Sequence, residues 1–129
     1  MTKISNFEKL SYMGVELYAP KRFWGLLATN PEKIKEISNG CGAAGSMDFV
    51  PDRFYGLKVT PCCDIHDLCY YFGGSEDDKI LADVFLLINL LFWIKAKSNT
   101  FMRVLRNGRA IKYYTACDLY GHDAFNYTD

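Results

Sequence analysis

Nine consecutive residues, Cys62-Cys63-Asp64-Ile65-His66-Asp67-Leu68-Cys69-Tyr70, place three thiols, an imidazole, carboxylates and a phenol within about two and a half helical turns. An imidazole can act as a general base near neutral pH, and a neighbouring carboxylate can orient it or bind a cation. A second carboxylate, Asp83, stands in an unusual setting. Between Ile80 and Ile94 thirteen of fifteen residues are apolar, and the exceptions are Asp83 and Asn89. A carboxylate on such a helix must find a hydrogen-bonding partner, because burying it alone is costly.

The elements that position these groups are legible from punctuation. Thr60-Pro61 opens a helix and Gly73-Gly74 closes it. Ser75-Glu76-Asp77-Asp78 caps the next helix, with acids in its first turn, and that helix runs to about Lys97. His66 lies seven residues before Gly73 and Asp83 nine after Gly74. If the two helices fold back on each other at the glycines, the two side chains stand at nearly the same height, at roughly 1.5 Å per residue. A His66–Asp83 pair would fix the ring's tautomer and stabilise its cation, as in hydrolytic triads. The pair alone reads equally well as a buried polar contact that sets helix register.

On the same helix Cys63 and Asp67 share one stripe (i, i+4), while Cys62, His66 and Tyr70 form the adjacent one. Residues 40 to 60 hold Gly40, Gly42, Gly45, Pro51 and Gly56 with little helical periodicity, and so read as a long functional loop. If Cys63 bonds to Cys41, that loop lies beside Asp67. A carboxylate with several inward-turned carbonyls is an oxygen cage for a hard cation such as calcium.

Elsewhere the reading is coarser. Residues 1 to 30 read as a mostly irregular arm with one short helix from about Pro20, and Asn30-Pro31-Glu32 starts another that stops at Asn39-Gly40. The apolar Ile80–Ile94 stretch is too short for a membrane span and reads as a buried central helix. A last helical region spans about Thr100 to Leu119, with an interruption expected at Asn107-Gly108. The expectation is an all-α fold in one domain, residues 1–129: an arm (1–30), a motif-bearing core (39–92) and a C-terminal helix and tail (100–129).

Charge is balanced, with fifteen basic and fifteen acidic side chains, which removes a global electrostatic case for nucleic acid. Locally, Lys95, Lys97, Arg103, Arg106, Arg109 and Lys112 form a stretch without an acid. It reads first as a solvated helix face and second as a surface for anionic membranes. His122, Asp118 and Asp123 read as surface residues.

Asn39-Gly40-Cys41-Gly42 followed by Pro61-Cys62-Cys63-x-x-His66-Asp67-x-Cys69-Tyr70 resembles the calcium loop and active-site helix of secretory-type phospholipases A2. The likeness covers roughly residues 39 to 92 and is nearer to compact branches that lack the β-wing between the two main helices. It implies that His66 is the general base, Asp83 its carboxylate partner and Tyr70 a phenol supporting Asp83, with Tyr113 or Tyr114 a second. It further implies Ca²⁺ held by Asp67 and main-chain oxygens of Gly40, Gly42 and Ala44, and an oxyanion held by the Gly42 amide. Ala44 departs from the usual glycine, and the segment from Ser46 to Thr60 is longer than in the compact enzymes.

The family's disulfide pattern would pair Cys62 and Cys69 with the Asp83 helix, where this chain has Ala82 and Asn89. The expected bridges are therefore Cys41–Cys63 and Cys62–Cys117, with Cys69 free. The resemblance implies a calcium-dependent phospholipase A2 that cleaves the sn-2 ester of glycerophospholipids at a membrane surface. Phe23, Trp24, Lys21 and Arg22 are candidates, with the basic stretch, for seating it there. Such a protein is expected to be secreted or exported, although Met1–Asn6 show no signal-peptide pattern. Two alternatives remain: a reduced zinc module using Cys41, Cys62, Cys63, His66 and Cys69, and a catalytically silent phospholipase-like interaction protein.

Overall fold

The computed structural model describes residues 7–37 and 53–128. In chain order the elements are β1 (Phe7–Tyr12), β2 (Val15–Pro20), a 3₁₀ turn (Lys21–Phe23), α1 (Trp24–Thr29), α2 (Pro31–Ile37), β3 (Arg53–Phe54), β4 (Leu57–Lys58), α3 (Thr60–Phe72), α4 (Glu76–Lys97), α5 (Thr100–Tyr120) and a 3₁₀ turn (Gly121–Asp123). Helices dominate, as expected, and two antiparallel hairpins are added to them.

The hairpins correct the reading of the N-terminal arm. β1 and β2 pair from Phe7 opposite Pro20 to Tyr12 opposite Val15. Met13 and Gly14 turn the chain with φ of 54° and 84°, and Tyr55-Gly56 does the same in the second hairpin at 49° and 84°. Both are the paired left-handed conformations that match strand twist. In β2 Val15, Leu17 and Ala19 are buried in the core, a period-2 pattern, while Tyr18 on the other face reaches Phe85 and Phe92 of α4. The short helix after Pro20 is present, as the 3₁₀ turn and α1.

α3 and α4 form the centre. Pro61 occupies the first turn of α3, whose N-cap is Val59, one residue earlier than the cap expected at Thr60. Gly73 ends α3 at φ 69°, and a Cβ there would collide with the backbone carbonyl of Asn126. Ser75 and Asp78 close a capping box on α4, Asp78 N to Ser75 Oγ at 3.3 Å and Ser75 N to Asp78 Oδ2 at 2.9 Å. No strand pair separates the two helices.

α4 is less enclosed than its composition suggests. Ala82, Asp83, Leu86, Asn89, Leu90, Trp93 and Ile94 are buried, but Ile80 and Phe92 are exposed. The β1–β2 hairpin covers part of the remainder, with Phe7 stacked on Phe85 at 4.3 Å. No helix among the described residues is long and apolar enough to cross a membrane.

α5 is continuous, which corrects the interruption expected at Asn107-Gly108. The weak point is bridged by Arg106, whose guanidinium donates to the carbonyls of Phe54 and Tyr55 and to Ser98 Oγ at 2.7–2.9 Å. Those contacts anchor the helix just before the glycine, which in a helix interior costs only about 1 kcal/mol relative to alanine. After α5 the tail returns over the α3–α4 junction. There Asn126 N donates to Tyr70 O, Gly74 N to Asn126 O and Thr128 N to Gly74 O.

Candidate active site

The turn at Gly73-Gly74 brings His66 and Asp83 together as the spacing predicts. His66 Nε2 lies 2.8 Å from Asp83 Oδ1, and the two residues are 5 % and 1 % exposed. The same Oδ1 accepts a hydrogen bond from the Tyr70 hydroxyl at 2.7 Å. Tyr70 is one helical turn beyond His66, and their rings are 4.3 Å apart. The phenol is itself enclosed: Phe125 packs edge-on at 5.1 Å, and a Cβ on Gly121 would strike the hydroxyl.

The other carboxylate oxygen meets a residue that sequence reasoning missed. Lys79 Nζ is 2.8 Å from Asp83 Oδ2 and donates to the carbonyl of Cys117 at 2.9 Å. A longer contact reaches the carbonyl of Asp118 at 3.4 Å. Lys79 is 1 % exposed. The available signal was its position four residues before Asp83 on an apolar helix. Where a second phenol from Tyr113 or Tyr114 was the expectation, Oδ2 has an ammonium. Tyr113 is buried, with its hydroxyl 3.7 Å from Cys63 Sγ.

These contacts set the charges. Burial alone pushes the Asp83 carboxyl up, but the hydrogen bond and charge of His66, with the hydrogen bonds of Lys79 and Tyr70, outweigh it and hold the group below the usual carboxylate range. Asp83 is thus an acceptor only, and His66 Nε2 must carry the proton that it shares with Oδ1. The Nδ1 lone pair is left as the basic position of the ring. Burial and the Asp83 charge raise the Tyr70 phenol, so it stays a donor.

The cysteines behave differently from the expectation. Cys62, Cys69 and Cys117 are free and buried, so the Cys62–Cys117 bridge is not formed. Cys117 sits at the level of the dyad, its Sγ within 4.8 Å of ligand atoms of both His66 and Asp83. Cys62 lies a full turn of α3 before His66, about 6 Å along the axis, whereas a disulfide needs its sulfurs at about 2.05 Å. Cys69 is free, as expected. Cys63 is disulfide-bonded, and Cys41 lies outside the described residues. Burial raises the thiols of Cys62 and Cys117, and that of Cys69 to about 12, which opposes the thiolate form that reactive or metal-bound cysteines adopt.

Asp67 follows His66 on α3 and is half-buried. Its carboxylate is a hard oxygen donor of the kind calcium takes. Gly40, Gly42 and Ala44, the carbonyls expected to complete the cage, lie outside the described residues. The zinc set loses a member, since a disulfide-bonded Cys63 has no thiolate to offer. Among the described residues, the His, Cys, Asp and Glu side chains close enough to share an ion are instead His66, Asp83 and Cys117.

His122 is exposed, as expected, but not idle: its Nδ1 lies 2.6 Å from the Tyr127 hydroxyl, which donates to Glu76 Oε1 at 2.8 Å. This cluster fastens the tail to the start of α4. No protein-family model, no curated protein and no solved structure matches this chain.

Proposed function

We propose that this protein is a calcium-dependent phospholipase A2 that hydrolyses the sn-2 ester of glycerophospholipids at a membrane surface. One observation carries the reading: a buried His66 whose Nε2 is tied to an ionised Asp83, itself steadied by Tyr70, which leaves Nδ1 as the base. That nitrogen removes a proton from the water that attacks the ester carbonyl, and Asp83 stabilises the imidazolium that results. The proton then passes from Nδ1 to the leaving glycerol oxygen. Calcium, held by Asp67 with main-chain oxygens of Gly40, Gly42 and Ala44, would supply positive charge to the phosphate and, with the Gly42 amide, to the developing oxyanion.

Burial of His66 and Asp83, with Phe125 packed edge-on against Tyr70, keeps the dyad's charges in a dry setting where they act strongly. A disulfide at Cys63 supports the expectation of a secreted or exported protein. The test is fatty-acid release from mixed phospholipid vesicles with calcium, with EGTA, and for His66→Gln. Calcium-dependent release that the substitution abolishes is the expected result. Failure of the wild-type protein to release fatty acid in any condition would favour the silent interaction protein.

A further inference from the structure

We propose that Lys79 is a positioning residue of the dyad: its buried ammonium keeps Asp83 ionised and thereby selects the His66 tautomer that can act as a base. The inference rests, for its catalytic consequence, on the hydrolase reading above; its structural consequence stands without it.

Burying a lysine is expensive, and an ammonium has three protons to place. Here the ammonium pairs with Asp83 Oδ2 at 2.8 Å and donates to the Cys117 carbonyl at 2.9 Å and, at longer range, to the Asp118 carbonyl at 3.4 Å. The two carbonyls belong to the last turn of α5, where the helix dipole is negative. One cation therefore serves two negative ends, the carboxylate and the helix terminus. It also pins Asp83 from the side opposite His66, since Oδ1 takes His66 and Tyr70 while Oδ2 takes Lys79. A carboxylate so divided has little freedom to rotate.

The chemical consequence concerns a proton. Without the ammonium, Asp83 would be a buried carboxylate left with His66 and Tyr70 as its donors, and burial would favour its taking up a proton. A neutral Asp83 becomes a donor. Its O–H would then point at His66 Nε2, and the ring hydrogen would move to Nδ1, the atom that must accept the proton of the attacking water. The charge of Lys79 thus holds the hydrogen on Nε2 through Asp83, without touching the ring or the substrate. A merely structural lysine would stabilise the fold but leave the tautomer alone.

Two variants, Lys79→Met and Lys79→Gln, remove the charge, the second keeping an amide that can still fill the space; either one that folds decides the question. The first readout is the His66 side-chain nitrogen spectrum of ¹⁵N-histidine-labelled protein at one fixed pH, which needs neither calcium nor turnover. The wild type is expected to show the Nε2–H tautomer and the variants a substantial Nδ1–H population. The second is turnover on calcium-saturated vesicles, where kcat is expected to fall roughly ten- to a hundredfold, as for loss of other outer contacts of a functional histidine, with KM within about twofold. Leu17→Ala, a core change under the β1–β2 hairpin, controls for lost stability and is expected to leave both readouts near wild type. A folded variant that keeps the wild-type tautomer overturns the proposal, as does an equal kcat loss in Leu17→Ala. If the wild type itself shows no turnover, the hydrolase reading fails while the nitrogen spectrum still decides the role of Lys79.

Discussion

The carboxamide of Asn89 takes both backbone polar groups of Tyr18: Oδ1 accepts from Tyr18 N at 2.7 Å, and Nδ2 donates to Tyr18 O at 2.8 Å. This one side chain pairs the Tyr18 position on the edge of β2 that faces α4, while β1 pairs the other edge. It explains why an otherwise apolar helix carries an asparagine. At Tyr18, α4 takes the place that a third strand would otherwise fill.

Replacing Asn89 by leucine is therefore expected to cost roughly 2–4 kcal/mol, since two enclosed backbone groups lose their partners together. A urea titration measures this as a lower midpoint. The dyad stands nearly two turns away on the same helix, so the His66–Asp83 contact is expected to survive in whatever fraction stays folded. A midpoint equal to wild type would show that the clip contributes nothing.

How much of this architecture is legible in the sequence depends on where each decision is made. The capping box of α4 and the glycine turn after α3 are local, so spacing alone brings His66 to Asp83. The hairpin is nearly invisible because Tyr18, on the other face of β2, blurs the alternation of Val15, Leu17 and Ala19, because β1 adds only Leu10 and Tyr12 opposite Leu17 and Val15, and because Met13-Gly14 is not a common hairpin turn. Lys79 is hidden for a different reason. Its burial is decided by the end of α5, 38 residues away, which brings two carbonyls to a side chain that reads as solvated. Cys117 follows the same logic: the geometry that carries its carbonyl to Lys79 carries its sulfur to the dyad and away from Cys62.

Acid should loosen the site in a defined direction. The folded-state pKa of Asp83 is depressed, so its stabilising effect is fully present above the unfolded carboxylate value of about 4 and is lost as pH falls through the lower folded value. Asp83→Asn removes that titration and leaves Lys79 as a buried charge without its counter-ion, a loss of about 3–5 kcal/mol near neutral pH. Urea midpoints taken from pH 7 down to pH 2 are expected to show the wild type approaching the variant on the acid side. A gap that stays constant over the whole range would mean that Asp83 is not the titrating group.

The proposed action at a membrane surface bears on α5 and the end of α4. Phe101 and Val104 are 70 % and 68 % exposed, an apolar pair beside Arg103 and close in sequence to Lys95 and Lys97. Exposed apolar groups flanked by cations suit an anionic interface, where each basic residue near the surface contributes about 1 kcal/mol. Changing Lys95, Lys97 and Arg103 together to glutamate is therefore expected to weaken binding to anionic vesicles by at least a hundredfold at low salt. Binding to neutral vesicles should change far less, and added salt should narrow the difference because it screens the attraction. Phe101→Ser supplies the apolar half of the comparison: it should weaken binding to both kinds of vesicle, with little dependence on salt. If the triple glutamate variant bound anionic vesicles as tightly as wild type, this face would be an ordinary solvated surface, and the lipid contact would have to be sought around Lys21, Arg22, Phe23 and Trp24.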